Sequence, residues 1–125
     1  MSKSGFLKIT DKKRATFVKG ASLARHRQAE LIQQSFTQNL TWDIIYIVSH
    51  GHFENYPVFV MDVCHSVKVS RTTVIKKIDR LVESEILTRE TWESDKRRKV
   101  VKFTVAFLPK IESYIDESIR LLSIE

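Results

Sequence analysis

Cysteine is almost absent from this sequence: Cys64 stands alone among 125 residues, so no internal disulfide can form, as expected in a reducing compartment. Glycine and proline are scarce as well, three and two respectively, which argues against a loop-rich or disordered chain. No apolar run approaches the ~20 residues that cross a bilayer as a helix. The start, MSKSGFLKIT, lacks the apolar centre and small-residue cleavage site of a signal peptide, so no membrane partner and a cytoplasmic location are expected. There is no nucleophile elbow, no phosphate-cradling glycine loop and no paired-carboxylate motif. Neither an enzyme activity nor a cofactor is therefore expected.

What is present is a 42% hydrophobic, 29% charged chain whose length fits one globular domain over residues 1–125. The net charge of +6 is unevenly placed. Residues 1–27 hold eight Lys/Arg and one acid (+7), 28–67 none and four (−4), 68–102 eleven and six (+5), and 103–125 two and four (−2). A basic surplus confined to two blocks points to a polyanion footprint on two surfaces.

The spacing predicts a mainly α protein with one small β-hairpin. From Thr10 to about Phe36 helix formers are continuous, and Phe17, Ala21, Ala24, Gln28 and Leu31 make a heptad-like seam that Gly20 interrupts, leaving one helix or two. Thr41 is placed to cap a second helix, TWDIIYIVSHG, apolar all round from Ile44 to Val48 and hence a core helix, which Gly51 would end. After the polar loop HFENY, Pro57 would open a short helix with Val60, Val63, Cys64 and Val67 on one face. Lys68 and Val69 then connect to Ser70, a good N-cap for a helix with Val74, Ile78, Leu81 and Val82 inward. Ile86–Arg89 and Val100–Val105 read as strands around a charged loop, and Pro109 begins a last helix with the stripe Leu108, Ile111, Ile115, Ile119, Leu122.

Helix, tight turn, helix, hairpin is the order of a winged helix-turn-helix, in which the second helix of the pair enters the DNA major groove. On that helix the core residues leave Arg71, Thr72, Thr73, Lys76 and Lys77 outward near the N-terminal end, the end that reaches base edges. Arg71 and Thr72, with Ser70 and Thr73 beside them, are the expected base readers, and Lys76, Lys77 and Arg80 the expected phosphate contacts. The hairpin tip carries Lys96, Arg97, Arg98 and Lys99, which would repel one another unless an anion faced them.

The run VMDVCHSVKVSRTTVIKKIDRLVESEILTRETWESDKRRKVVKFT resembles the reading head of the MarR family of bacterial transcription regulators, with its V-S-x-x-T-V spacing, D-R-L closing the recognition helix and D-x-R in the wing. The resemblance covers about residues 41–108. It implies a homodimeric regulator binding double-stranded DNA, with residues 41–107 as reading head and 10–40 and 108–125 as dimerisation helices. Phe17, Leu31, Ile111, Ile115, Ile119 and Leu122 would then form the interface. It further implies that Arg97 reaches the minor groove, steadied by Asp95, that the protein is nucleoid-associated, and that an unidentified small-molecule effector sits between the terminal helices and the reading head. Glu85 stands where the family usually has glycine, and a different turn is expected there; AFLPK replaces a threonine-rich, glycine-containing lead into the last helix.

Two other readings use the same residues. The basic winged helix could be a scaffold that binds an acidic protein. His50, His52, His65, Cys64 and Glu54 are metal-ligand types, but H-x-H suits a strand or loop and no second motif completes a four-ligand set, so no metal site is assigned. Cys64 falls on an apolar helix face and reads as a small hydrophobe. Trp42 reads as core, and Trp92 as packing for the hairpin.

Overall fold

The computed structural model describes residues 8–31 and 40–122, the side chains of 28–30 excepted. Five helices and one hairpin follow in the order α1 (Asp11–Leu31), α2 (Leu40–Glu54), α3 (Val60–Ser66), α4 (Arg71–Glu83), β1 (Leu87–Thr91), β2 (Lys99–Phe103) and α5 (Leu108–Leu122). The fold is therefore a mainly α winged helix-turn-helix with an added helix on either side.

The all-round apolarity of α2 has a direct cause, because two cores form on its opposite faces. Leu40, Ile44 and Val48 pack with Val63, Val74, Ile78, Leu81, Leu87 and Val101 to make the core shared by α2, α3, α4 and the hairpin. Ile45, Tyr46 and Phe53 pack with Ala15 and Val18 of α1 and with Ile111 and Ile115 of α5. Arg14 closes the second core at its edge: its guanidinium donates to both carboxylate oxygens of Asp116, at 2.7 and 2.9 Å, and to Asp11 at 2.8 Å.

Several boundaries differ from the sequence reading. Gly20 does not split α1, which is one continuous helix with open space at that position. The expected extension to Phe36 and the seam residue Gln28 lie outside the described residues and side chains. α2 starts at Leu40, so Thr41 lies inside it, and the helix passes through Gly51 to Glu54, carrying His52 and Phe53 of the expected loop. Gly51 is small because a Cβ there would sit 2.3 Å from Val58 Cγ2. The helix ends instead at Asn55, whose φ of 63° is left-handed, with Tyr56 N donating to Gly51 O and Asn55 N to His52 O. This pattern is the Schellman end, which asparagine tolerates better than most residues.

Pro57 does not open α3. Residues 57–59 are extended, Phe59 bridges to Val100, and Val101 N donates to Val58 O at 2.8 Å, so this segment lies along the hairpin before α3 begins at Val60. Asp62 supplies the cap by accepting from Phe59 N at 2.9 Å.

Ser70 does cap α4, accepting from Thr73 N at 3.3 Å. The expected different turn at Glu85 is not found: Glu85 takes the left-handed glycine conformation itself, at φ 62°, with Ile86 N donating to Leu81 O and Glu85 N to Val82 O. The strands pair antiparallel from Leu87↔Phe103 to Thr91↔Lys99, so Glu90, Thr91 and Lys99 belong to the hairpin stem while Thr104 and Val105 have left it. Thr104 replaces the missing lead into α5. Its hydroxyl donates to Glu85 O at 2.8 Å and accepts from Phe107 N at 3.0 Å, joining the end of α4 to the start of α5.

Candidate nucleic-acid interface

The orientation of α4 is set by three fully or nearly buried residues, Val74, Ile78 and Leu81, on its inner side. Thr72, Lys76 and Arg80 are exposed on the sides turned away from them, Ser70, Arg71 and Thr73 are exposed at the N-terminal end, and Lys77 is half-buried. The Ser70 and Thr73 hydroxyls lie 2.9 Å apart, so each is partly committed to the cap. Lys76, Lys77, Arg80 and Thr73 line a shallow groove with Leu40. The C-terminal half of the helix is tied to the hairpin by an ion pair between Asp79 and Arg89, which the sequence reading did not single out.

At the hairpin tip the four cations differ sharply. Arg97 is 91% exposed, and its Nε and backbone N both donate to Asp95 Oδ1, at 3.2 and 3.1 Å. The side-chain bond from Arg97, then the backbone bond, hold the Asp95 carboxyl below its ordinary value. Asp95 thus offers Arg97 an ionised acceptor two residues away. Arg98 lays its guanidinium over the Phe59 ring, 3.4 Å from the centroid. Lys99 Nζ donates to Thr91 Oγ1 at 2.8 Å. Only Lys96 has no side-chain partner among the described residues. Three of the four side chains thus have a partner within the chain, but only Asp95 offsets any of their charge.

Trp92 packs edge-on against Phe59 at 5.4 Å, which bears out its role as hairpin packing. Trp42 is half-buried at the edge of the second core, its ring tilted by 40° to Tyr46 at 5.6 Å and by 38° to Tyr114 at 5.3 Å.

The other chemistry-bearing residues are not brought together. His50 and His52 lie two apart on a helix, hence on different sides of it, not on the strand or loop their spacing suggested. His50 Nδ1 meets Tyr56 Oη at 2.8 Å, while His52 packs edge-on against Phe53. Among the described residues no group of three His, Cys, Asp or Glu is close enough to hold a metal ion. Cys64 is half-buried against the core of α2, α3, α4 and the hairpin, and burial pushes its thiol up, away from the thiolate form.

The residues assigned to dimerisation separate into two groups. Ile111 and Ile115 are buried within the chain, and Phe17 and Ile119 pack beside them on the same core. Leu31 and Leu122 are exposed, as is Leu121. Between α1 and α2 lies a cavity of about 340 Å³ lined by Val18, Ser22, His26, Tyr46, His50 and Tyr56, among others. None of the described helices is long and apolar enough to cross a membrane.

Compared by sequence, the chain matches no protein-family model and no curated protein. Compared by structure, it is similar to AF1382 from Archaeoglobus fulgidus, with a TM-score of 0.52 and 14% identity over 78% of this chain and 99% of that one. MepR of S. aureus, in its DNA-binding conformation, gives 0.51 and 16% over 82% of this chain and 73% of that one. AbsC, a MarR family transcriptional regulator from Streptomyces coelicolor, gives 0.50 and 18% over 92% and 80%. At these identities the likeness is one of fold, and the fold is the MarR-like winged helix.

Proposed function

We propose that the chain is a cytoplasmic, nucleoid-associated transcription regulator that binds double-stranded DNA sequence-specifically as a homodimer. The observation that carries this reading is the pairing of a Ser70-capped helix, exposing Arg71, Thr72 and Thr73 at its N-terminal end, with a wing whose Arg97 is exposed and held by Asp95. An acidic protein partner would need positive charge but not base-reading side chains gathered at one helix end. Arg71 and Thr72 read bases in the major groove, Lys76, Lys77 and Arg80 hold phosphates, and Arg97 enters the minor groove, a strongly negative slot. The homodimer reading is supported by Leu31, Leu121 and Leu122, large apolar side chains left bare at the ends of α1 and α5. The cavity between α1 and α2 is the place for a small-molecule effector.

Binding of selected and random duplexes, followed by fluorescence anisotropy across a salt series, tests the proposal. Arg71→Ala is expected to cost about 1–3 kcal/mol on the selected site and to relax its sequence preference, while Lys76→Ala weakens all duplexes alike and flattens the salt slope. Absence of salt-sensitive binding to any duplex would turn the reading toward a protein-binding module.

A further inference from the structure

We infer that Arg98 is a positioning residue rather than a DNA contact: stacked on Phe59, it sets the angle of the wing and thereby aims Arg97. The inference rests on the DNA-binding reading above. It gives Arg98 a role different from the DNA contact expected of it in the sequence.

Phe59 is the N-cap residue of α3 and also bridges to Val100 of β2, so it stands where the helix pair and the wing meet. Two side chains cover its ring. Trp92 meets it edge-on at an interplanar angle of 88°, and the Arg98 guanidinium lies over it at 3.4 Å, leaving Phe59 only 8% exposed. Trp92 and Arg98 are themselves joined, since Trp92 N donates to Arg98 O at 2.9 Å at the mouth of the loop. Arg98 N in turn donates to Asp95 O at 2.9 Å, and Asp95 holds Arg97. A continuous set of contacts thus runs from α3 through Phe59 and Arg98 to the exposed arginine.

A planar guanidinium on an aromatic face gains from cation–π attraction and from covering apolar surface. Swinging Arg98 out to a phosphate would forfeit both and uncover the ring. Arg97, with only a hydrogen-bonded carboxylate beside it, is free to engage DNA without disturbing the fold. The two adjacent arginines therefore divide the work, one pointing out and one fixing the direction.

The test is a mutant cycle on the intact protein, read by DNA affinity across salt and by the two tryptophan indole N–H NMR signals without DNA. Arg98→Ala is expected to weaken binding on the order of ten-fold and to lower the salt slope no more than Arg97→Ala does, whereas Lys96→Ala lowers the slope by about one even in the Arg97→Ala background. Arg98→Lys keeps the charge but not the planar stack, and should not rescue. In an Arg97→Ala background Arg98→Ala should cost nothing further, because it acts through Arg97. In the free protein Arg98→Ala and Phe59→Leu should both shift the Trp92 signal and leave Trp42 in place. Full rescue by Arg98→Lys, or a slope lowered further by Arg98→Ala in the Arg97→Ala background, would overturn the inference. If the wild type binds no duplex, the DNA reading fails, and the Trp92 signal still decides: a signal unmoved by Arg98→Ala removes the brace, and a shifted one keeps it.

Discussion

On α1, Arg14 and Arg25 turn toward carboxylates of other helices, Asp116 at 2.7 Å and Asp43 at 3.5 Å, whereas on α4 Arg71, Lys76 and Arg80 turn outward and meet no carboxylate among the described residues. Both segments lie in blocks with a strong positive surplus, and by composition they look alike. The difference lies in where each cation stands relative to its helix's apolar stripe. Arg14, Val18 and Arg25 fall at i, i+4 and i+11, one face, and Val18 is buried. Lys76 and Arg80 lie on the side away from Val74, Ile78 and Leu81, while Arg71, in line with that stripe, is exposed because it stands at the first position of the helix. Charge on the buried face binds the helices together, and charge on the opposite face is left for a partner. The two-surface footprint read from the charge blocks is accordingly reduced on α1, where part of the surplus is used internally.

The sharpest way to break this comparison is at Ile115, which is fully buried between α1, α2 and α5, against Leu122, which is 69% exposed. Ile115→Ala should cost about 3 kcal/mol of unfolding free energy in urea titration. Leu122→Ala should change the monomer's stability by under about 0.5 kcal/mol yet weaken association in sedimentation. Equal losses from both would mean that α5 packs with a different face inward.

A smaller effect is expected at Arg14. Its side chain is 15% exposed and that of Asp116 16%, so the pair lies between surface bridges, worth up to about 1 kcal/mol, and buried ones, whose breakage costs about 3–5 kcal/mol. Arg14→Ala should destabilise by about 2 kcal/mol, and Lys76→Ala on α4 by almost nothing; thermal melts of the two variants check the contrast.

Glu85→Gly works in the opposite direction. Holding an L-residue in the left-handed region costs about 1–2 kcal/mol, so relieving it at φ 62° should stabilise the protein by about 1 kcal/mol, less the entropy glycine adds to the unfolded chain. A lowered urea midpoint would show that the Glu85 side chain contributes something the backbone geometry does not reveal.

The smallest effect is a pH slope. Asp43 is buried beside Arg25 and His26, at 3.5 and 3.9 Å, and burial pushes its carboxyl above the ordinary 3.8 despite both cations. A raised folded-state value adds stability at acid pH that is lost as pH rises through it. The advantage of wild type over Asp43→Asn should therefore shrink between pH 4 and pH 7 in paired urea titrations. An advantage that grows instead would mean the ion pairs outweigh desolvation.

The helix-turn-helix, the inward faces of α4 and α5, the Ser70 cap and the Asp95–Arg97 pairing were legible in the sequence, because each rests on contacts within a few residues along the chain and on hydrophobic spacing. Periodicity fixes which side of a helix is apolar whatever that side later touches. It does not fix what covers the apolar side, and for that reason Ile111 and Ile115 read as an interface between copies but proved to be core within one. The same limit explains the helix ends. Gly51 looked like a stop signal and is a close-packing site against Val58, while Asn55 and Glu85 carry the left-handed turns because the following chain must double back onto the core. Phe59 and Arg98 lie 39 positions apart, and nothing local to either announces the other; only the antiparallel hairpin, brought alongside the extended segment before α3, places the ring under the guanidinium.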